Sequence, residues 1–489
     1  MDKSQFDVEH IEKFLIDHYL LTAFASSDND EIKKNIEKAQ VLNGPFTLYK
    51  IANHYRDTRQ FEAAIDLYFN AYEQGLSDSI FLRDAADCLL RHGSFEQYSR
   101  FYRTMLENDN SNRFAGFVLG MIDNFNKVVS QISSDISRWA SSGKPKIIFQ
   151  TTFWGARFVD IFLNYTVPML LAKGNIPDTA ENYEIHYLIA TTQADFENMQ
   201  SREMFSNLQK YVQVHFVCLP QHLLDYSGEY AKKNKSAKMI PISILTNSMH
   251  YAAIECARLS GLDLIMIYPD HILAESFLTD LISEKSGYGA LSGVGFRLYY
   301  DQQILDEINR YRAVDGVLGI DYRVLYDLLV KYLPDVNYVD SKICFTSFPV
   351  NVCWRVADQG IIAHVNHYCV WVIRGSAFKE PVHPSLDPID GFFLDRIFTD
   401  KKDIGLASEK IIAFDLGDNP LVSKTDGTDF DMAKVAAWLK RSLTDVHQKY
   451  FEKCMKYSVT GSYDSPEWDK TIAMARSAIN RIIMLAKHT

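Results

Sequence analysis

Residues 264–273 read LIMIYPDHIL. Five apolar or aromatic residues run to Tyr268, Pro269-Asp270 interrupts them, and apolar character returns at Ile272. A short apolar run bounded by turn residues reads as a buried strand. The carboxylate at its tip has two readings. Pro-Asp is ordinary turn chemistry, and a lone Asp at a strand end is also placed to hold a ligand.

Working outward, DLIMIY (263–268) is the fourth of a series. KIIFQ (146–150), YEIHYLIA (183–190) and VQVHFVCL (212–219) read as the strands before it. Helical patterns begin at 156 and cover 194–209 and 242–259, with Pro168 kinking or restarting the first. This alternation predicts an α/β domain with a mainly parallel sheet and helices on both faces. Ligands of such sheets sit beyond the carboxyl ends of the strands, where QTTFWGARF (150–158) and Pro269-Asp270 both fall. From about 286 the pattern is mixed: strands at 289–300, 343–348 and 364–373, and helices at 301–312 and 322–333. Trp468, Ile472, Ala475, Ile479, Ile482 and Ile483 mark a C-terminal amphipathic helix.

The N-terminal part has a different texture. Ala52 recurs as Ala86, Phe61 as Phe95 and Tyr68 as Tyr102, each displaced by 34 residues. That is the tetratricopeptide (TPR) period. In the second copy Tyr98 stands where a small residue is usual, and Leu76 replaces the late proline. Such helix pairs bury their apolar faces only by stacking, so 8–43 and 114–139 are expected to flank them as helices. The texture changes at the Ser-Ser-Gly-Lys-Pro stretch 141–145. The expected domains are a helical TPR-like domain at 1–143, an α/β domain at 144–425 and a C-terminal helical segment at 426–489.

Composition narrows the function. The 489 residues carry a formal net charge of −11, which argues against nucleic-acid binding driven by phosphate neutralisation. The N-terminus MDKSQFDVEHIEKFL is acidic where a secretory signal is basic, and no apolar run reaches membrane-spanning length. Seven cysteines without a CxxC pair fit reduced thiols and a cytoplasmic location. No GxGxxG, P-loop or GxSxG is present.

Candidate site residues cluster in three stretches. In the first loop, Thr151 and Thr152 offer hydroxyls, Trp154 a stacking surface and Gly155 close backbone approach, although aromatic core packing explains the same residues. Asp270 is the second. The third, VHPSLDPIDGFFLDRIF (382–398), holds His383, Asp390 and Asp395. A carboxylate or His there suits removal of a proton from an acceptor hydroxyl, and helix capping by Asp390 is the alternative. His364 and His367 lie three apart, on opposite faces of a strand, which disfavours a shared zinc. DLGDNP (415–420) reads as a turn more readily than as a cation site.

Several segments, in order, resemble a group of bacterial proteins assigned as glycosyltransferases. They are WGARFVDIFLNYTVPMLLAKGNIP (154–177), Tyr268-Pro269-Asp270, GIDYRVLYDLLVKYLPD (319–335), Phe348, Pro349, Trp354-Arg355-Val356, His367 and Ile389-Asp390-Gly391. The likeness covers about residues 146–400 and departs at 367–370, where His-Tyr-Cys-Val replaces the group's His-x-His-Pro. The resemblance implies a GT-A-like α/β domain acting on a nucleotide sugar. In that type of enzyme the last carboxylate of an Asp-x-Asp binds Mn2+ or Mg2+, which bridges the diphosphate. Here Tyr268 replaces the first carboxylate and Asp270 keeps the second. Thr151, Thr152, Trp154 and Gly155 would line the nucleotide, Asp390 or His383 would meet the acceptor, and the repeats would hold a protein partner or acceptor. Two alternatives remain. One is a non-catalytic interaction protein with a degenerate transferase-like domain. The other is a metal-independent transferase using Lys232, Lys233, Lys235 and Lys238.

Overall fold

A computed structural model describes residues 3–488 except 27, 59, 78–80, 83, 86–87, 90–94, 140–142, 234–238, 335–336, 340–350, 366–367, 385–388, 390, 399, 418–431 and 443. The chain forms two compact units, one comprising 1–122 with 384–386, the other 123–383 with 387–489.

The first unit is helical: Lys3–Ala25, Asn29–Leu42, Gly44–Asp57, Phe61–Glu73 and Phe95–Asn108, with the start of Arg113–Arg138. Local chemistry sets the breaks. Asp28 accepts the Asp30 N–H and Asn43 accepts the Phe46 N–H, each satisfying an orphan donor at a helix start. Ala52 and Ala64 are fully buried in neighbouring helices, and the buried Tyr68 donates its hydroxyl to Asn53 Oδ1 at 2.7 Å. Ala86 and all of 90–94, which belong to the second repeat copy, lie outside the described residues.

The second unit carries twelve strands among the described residues. In chain order they are β1 (Lys146–Thr152), β2 (Glu184–Thr191), β3 (Val212–Cys218), β4 (Asp263–Met266), β5 (His271–Leu273), β6 (Ala290–Tyr299), β7 (Asn351–Val356), β8 (Gly360–Val365), β9 (Tyr368–Arg374), β10 (Ile404–Leu406), β11 (Ala413–Gly417) and β12 (Met455–Ser458). The main sheet runs β3-β2-β1-β4-β9-β6-β11-β5, with β10 also on β6. β3, β2, β1 and β4 are parallel, as are β6, β10 and β11. β9 runs antiparallel between β4 and β6, which makes the sheet mixed. β1 and β2 are buried on both faces, which is why they read as continuous apolar runs.

Three details differ from the sequence reading. β1 continues through Thr152 instead of stopping at 150. The stretch expected as one strand at 364–373 is two, because β8 joins a small β12-β8-β7 sheet while β9 enters the main one. The helix expected at 194–209 is broken at Ser201-Arg202. At Pro168 the helix does not break off: a π turn at Phe162–Thr166 runs directly into Val167–Leu170, and the proline falls just after this change of hydrogen-bond pattern, a place where a missing N–H disturbs the ladder least. The C-terminal helix Pro466–His488 buries Trp468, Ala475, Ile479 and Ile482 with Val352, Trp354 and Ile362 of the small sheet. No helix among the described residues is long and apolar enough to cross a membrane.

Candidate functional site

The chain leaves β4, turns at Pro269-Asp270 and re-enters the sheet as β5, pairing antiparallel with β11. A buried hydroxyl fixes this turn: Thr166 Oγ1 lies 2.7 Å from the Pro269 carbonyl and 3.0 Å from that of His271. On the other side the Leu416 N–H donates to the Asp270 carbonyl at 3.0 Å. Asp270 is thus held at the carboxyl end of β4, beside β11.

Register then assembles a cluster. Asp415 of β11 pairs with His271 of β5 on one side and with Arg297 of β6 on the other, so the three residues stand abreast. Asp415 Oδ1 is 2.9 Å from His271 Nε2, and Oδ2 is 3.4 Å from an Arg297 guanidinium nitrogen. The Tyr268 N–H points at His271 Nδ1 at 3.3 Å, which places the neutral ring's proton on Nε2, facing Asp415. The approach of Asp415 to Nε2 lies off the N–H axis and is a charge–dipole contact more than an aligned hydrogen bond. Tyr268, which stands where an Asp-x-Asp motif has its first carboxylate, packs its ring edge-on to His250 and His271, at centroid distances of 5.6 and 4.8 Å. Its place in the cluster is to orient His271.

The electrostatics separate the two carboxyls. Burial, reinforced by the charge of Asp415, pushes the Asp270 carboxyl up to about 6, with His271 and Arg297 opposing. Burial would also raise Asp415, but the contacts with His271 and Arg297 outweigh it and hold that carboxyl below its ordinary range. Near neutrality the pair therefore carries one firmly ionised and one late-ionising carboxylate, with Arg297 beside both. Behind them, Trp371 of β9 meets His271 edge-on at 4.9 Å and fills the space where Gly293 of β6 has no side chain. A Cβ at Gly295 would likewise strike Cys369.

The first loop lies at the same sheet edge, since β1 is the parallel neighbour of β4 and Ile267 N–H reaches the Gln150 carbonyl at 2.9 Å. Thr151 and Thr152 are strand residues and buried, and Thr152 Oγ1 accepts from Gln150 Nε2 at 2.5 Å. Trp154 is half-buried and Gly155 exposed. Gly155 adopts φ 92°, a conformation open to glycine, and its N–H donates to Asp195 Oδ2 at 2.8 Å. Asp195 also exchanges hydrogen bonds with Thr192, so the loop is tied to the start of helix Gln193–Gln200.

The late candidates are not joined to this cluster by any described contact. His383 is exposed, its imidazole pushed down by partial desolvation despite the nearby Glu255 charge. Asp395 is ion-paired with Lys401 at 2.6 Å. Asp390 lies outside the described residues, as do His367, Lys235 and Lys238, while Lys232 and Lys233 are exposed at the end of helix Gln221–Lys233. His364 is buried in β8 and donates from Nδ1 to the Phe451 carbonyl at 2.8 Å. Asp415 belongs to the DLGDNP stretch, whose composition reads as a turn, and the structure makes it a strand residue. Its signal was the short apolar run IIAF before it, which is a strand pattern. Arg297 and His271 carried no signal, because only the pairing of β5, β11 and β6 brings them together.

Among the described residues no group of three or more His, Cys, Asp and Glu side chains is placed to hold a metal ion. Two adjacent carboxylates still suit a Mg2+-like ion, which typically takes one or two protein carboxylates and completes its shell with water and substrate phosphates.

No family model matches this chain, and no curated protein matches it either. One solved structure similar to part of it is that of mouse xyloside xylosyltransferase 1 in its apo form. The two share 10% identity and a TM-score of 0.21, over 34% of this chain and 58% of that one. The chain thus spans somewhat over half the length of that protein, and a likeness this slight bears on neither substrate nor reaction. In architecture the chain has a helical N-terminal region, a mixed α/β sheet domain and a C-terminal helix.

Proposed function

We propose that the α/β unit is a glycosyltransferase domain that takes a nucleotide-sugar donor across the carboxyl ends of β1 and β4. The observation that carries this reading is the Asp270–Asp415 pair at that edge, with Arg297 beside it. Asp270 and Asp415 would hold Mn2+ or Mg2+. Such an ion, when bound, offsets the negative charge of a departing nucleoside diphosphate.

The chain's own residues supply the rest. Thr166 fixes the Pro269-Asp270 turn, and Tyr268 orients His271. His271 and Arg297 keep Asp415 ionised. Trp154 and Gly155 would border the nucleotide, with Thr151 and Thr152 shaping the strand end beneath them. His383 and Asp390 are the candidates for taking the acceptor's proton, and the N-terminal helices, read as TPR-like repeats, would hold a protein partner or acceptor.

The raised Asp270 carboxyl favours a second, metal-free reading. A group titrating near 6 is well matched to general-base work close to neutral pH. Arg297 would then face the diphosphate and Asp270 the acceptor hydroxyl.

Thermal shift with UDP, GDP and CDP, each in Mn2+ and in EDTA, tests the proposal. A bound diphosphate raises the melting temperature by mass action. The transferase reading expects one of the three to stabilise the protein, and where Mn2+ is required the effect is lost in Asp415→Asn. Stabilisation only with Mn2+ selects the metal reading, and stabilisation that survives EDTA selects Arg297. No stabilisation by any of them leaves the non-catalytic interaction protein.

A further inference from the structure

Away from the strand ends, a cleft of about 500 Å3 opens in the second unit. That lies within the roughly 300–1,000 Å3 usual for small-molecule sites. Four separate segments wall it. Helix Phe277–Glu284 gives Asp280 and Glu284, and helix Tyr322–Tyr332 gives Tyr322, Arg323 and Tyr326. The turn before β11 gives Glu409 and Lys410, and the stretch after β12 gives Tyr463. Tyr322 and Tyr326 belong to the GIDYRVLYDLL segment, to which the transferase reading gives no task.

Two polar groups hold the walls in place. The Ser408 N–H donates to Glu284 at 2.8 Å, and the Tyr326 hydroxyl donates to the Glu409 carbonyl at 2.8 Å. Both bonds fix the 408–410 turn and leave the Glu409 side chain uncommitted. Among the described residues, none of the Asp280, Glu409, Arg323 and Lys410 side chains lies within the 4.0 Å ion-pair distance of an opposite charge. Burial raises the Asp280 carboxyl although Lys410 opposes it, so the cleft is partly desolvated.

Charge balance narrows the ligand. Asp280, Glu284 and Glu409 against Arg323 and Lys410 leave the lining with one excess negative charge, which disfavours a phosphate or polyanion. Arg323 and Lys410 lie 5.4 and 5.9 Å from the Tyr322 ring centroid, so the cation-binding character of that ring is already engaged by the protein. A neutral polyhydroxyl ligand meets both conditions. Its hydroxyls donate to the carboxylates and accept from Arg323 and Lys410, while its C–H surface packs on tyrosine. We propose that this cleft binds a neutral oligosaccharide. The site rests on its own lining and stands apart from the Asp270 edge.

Saturation-transfer NMR on the full chain, with maltotriose, cellotriose, xylotriose and chitotriose as probes, tests this. At least one is expected to receive saturation, with affinity falling roughly tenfold or more in Tyr322→Ala and in Glu409→Gln. Glu409→Gln keeps the backbone carbonyl that anchors Tyr326, so it separates loss of the carboxylate from loss of the turn. Binding should persist in Asp270→Asn. Three results overturn the proposal: no transfer to any of the four sugars, transfer unchanged in both cleft variants, or loss in Asp270→Asn instead. Displacement of the sugar by inorganic pyrophosphate, with Arg323→Gln abolishing pyrophosphate binding, would reassign the cleft to anions and overturn it as well.

Discussion

The Asp270→Asn substitution removes the group that the cluster makes hardest to ionise, and its effect on stability is calculable. The Asp270 carboxyl is pushed to about 6 from 3.8, chiefly by burial and then by Asp415. Because the folded chain holds this proton more tightly than the unfolded one, the associated stability is present below about pH 4. It is lost as the pH rises through about 6. At about 1.4 kcal/mol for each pH unit between those values, the ionised group costs roughly 2–3 kcal/mol above pH 7. Asparagine cannot ionise, so in EDTA the variant should match the parent near pH 4. At pH 8 it should melt roughly 4–6 °C higher, at about 2 °C per kcal/mol for a unit of this size. Scanning calorimetry of both proteins across pH 4–8 gives the difference profile, in which titrating groups that do not interact with Asp270 cancel. Equal pH dependence of the two proteins, or a less stable variant at pH 8, would refute the electrostatic account of the pair.

Other consequences are separable from that one. Thr166→Val strips the hydroxyl from the Pro269 and His271 carbonyls; chemical denaturation should show a loss of about 1–3 kcal/mol, and nucleotide binding should weaken with it. Gly293→Ala drives a methyl into Trp371, and an overpacking cost of about 1–3 kcal/mol should appear together with a changed tryptophan near-UV signal. Burial pushes His250 down to about 4, so the unfolded chain binds that proton first and stability falls as the pH drops from about 6.5 toward 4. His250→Leu should flatten this acid limb in melting curves, a sign opposite to that of Asp270.

Of the four parallel strands, β1, β2 and β4 were legible because they are buried on both faces, and β3 through its alternation of apolar and polar residues, patterns that need no knowledge of partners. Pro168 and the C-terminal helix were legible for similarly local reasons. Residues 364–373 were not, since a strand pattern does not say which sheet it serves, and β8 and β9 serve two. The candidate cluster divides the same way. Asp270 stood out as a carboxylate ending an apolar run, whereas Asp415, Arg297 and His271 become neighbours only through register across β6, β11 and β5. Tyr268 in place of a carboxylate looked like a gap in the motif. Its backbone orients His271, and the nearby carboxylate arrives from 145 residues downstream of Asp270, beyond the reach of any spacing rule.

The most direct test is a crystal of the protein soaked with Mn2+ and the nucleoside diphosphate that stabilises it best, with anomalous scattering to locate the metal. The account predicts an anomalous peak ligated by Asp270 and Asp415, or, if the metal-free reading holds, a diphosphate on Arg297 with no such peak. A nucleotide bound elsewhere, or none at the ends of β1 and β4, would contradict it.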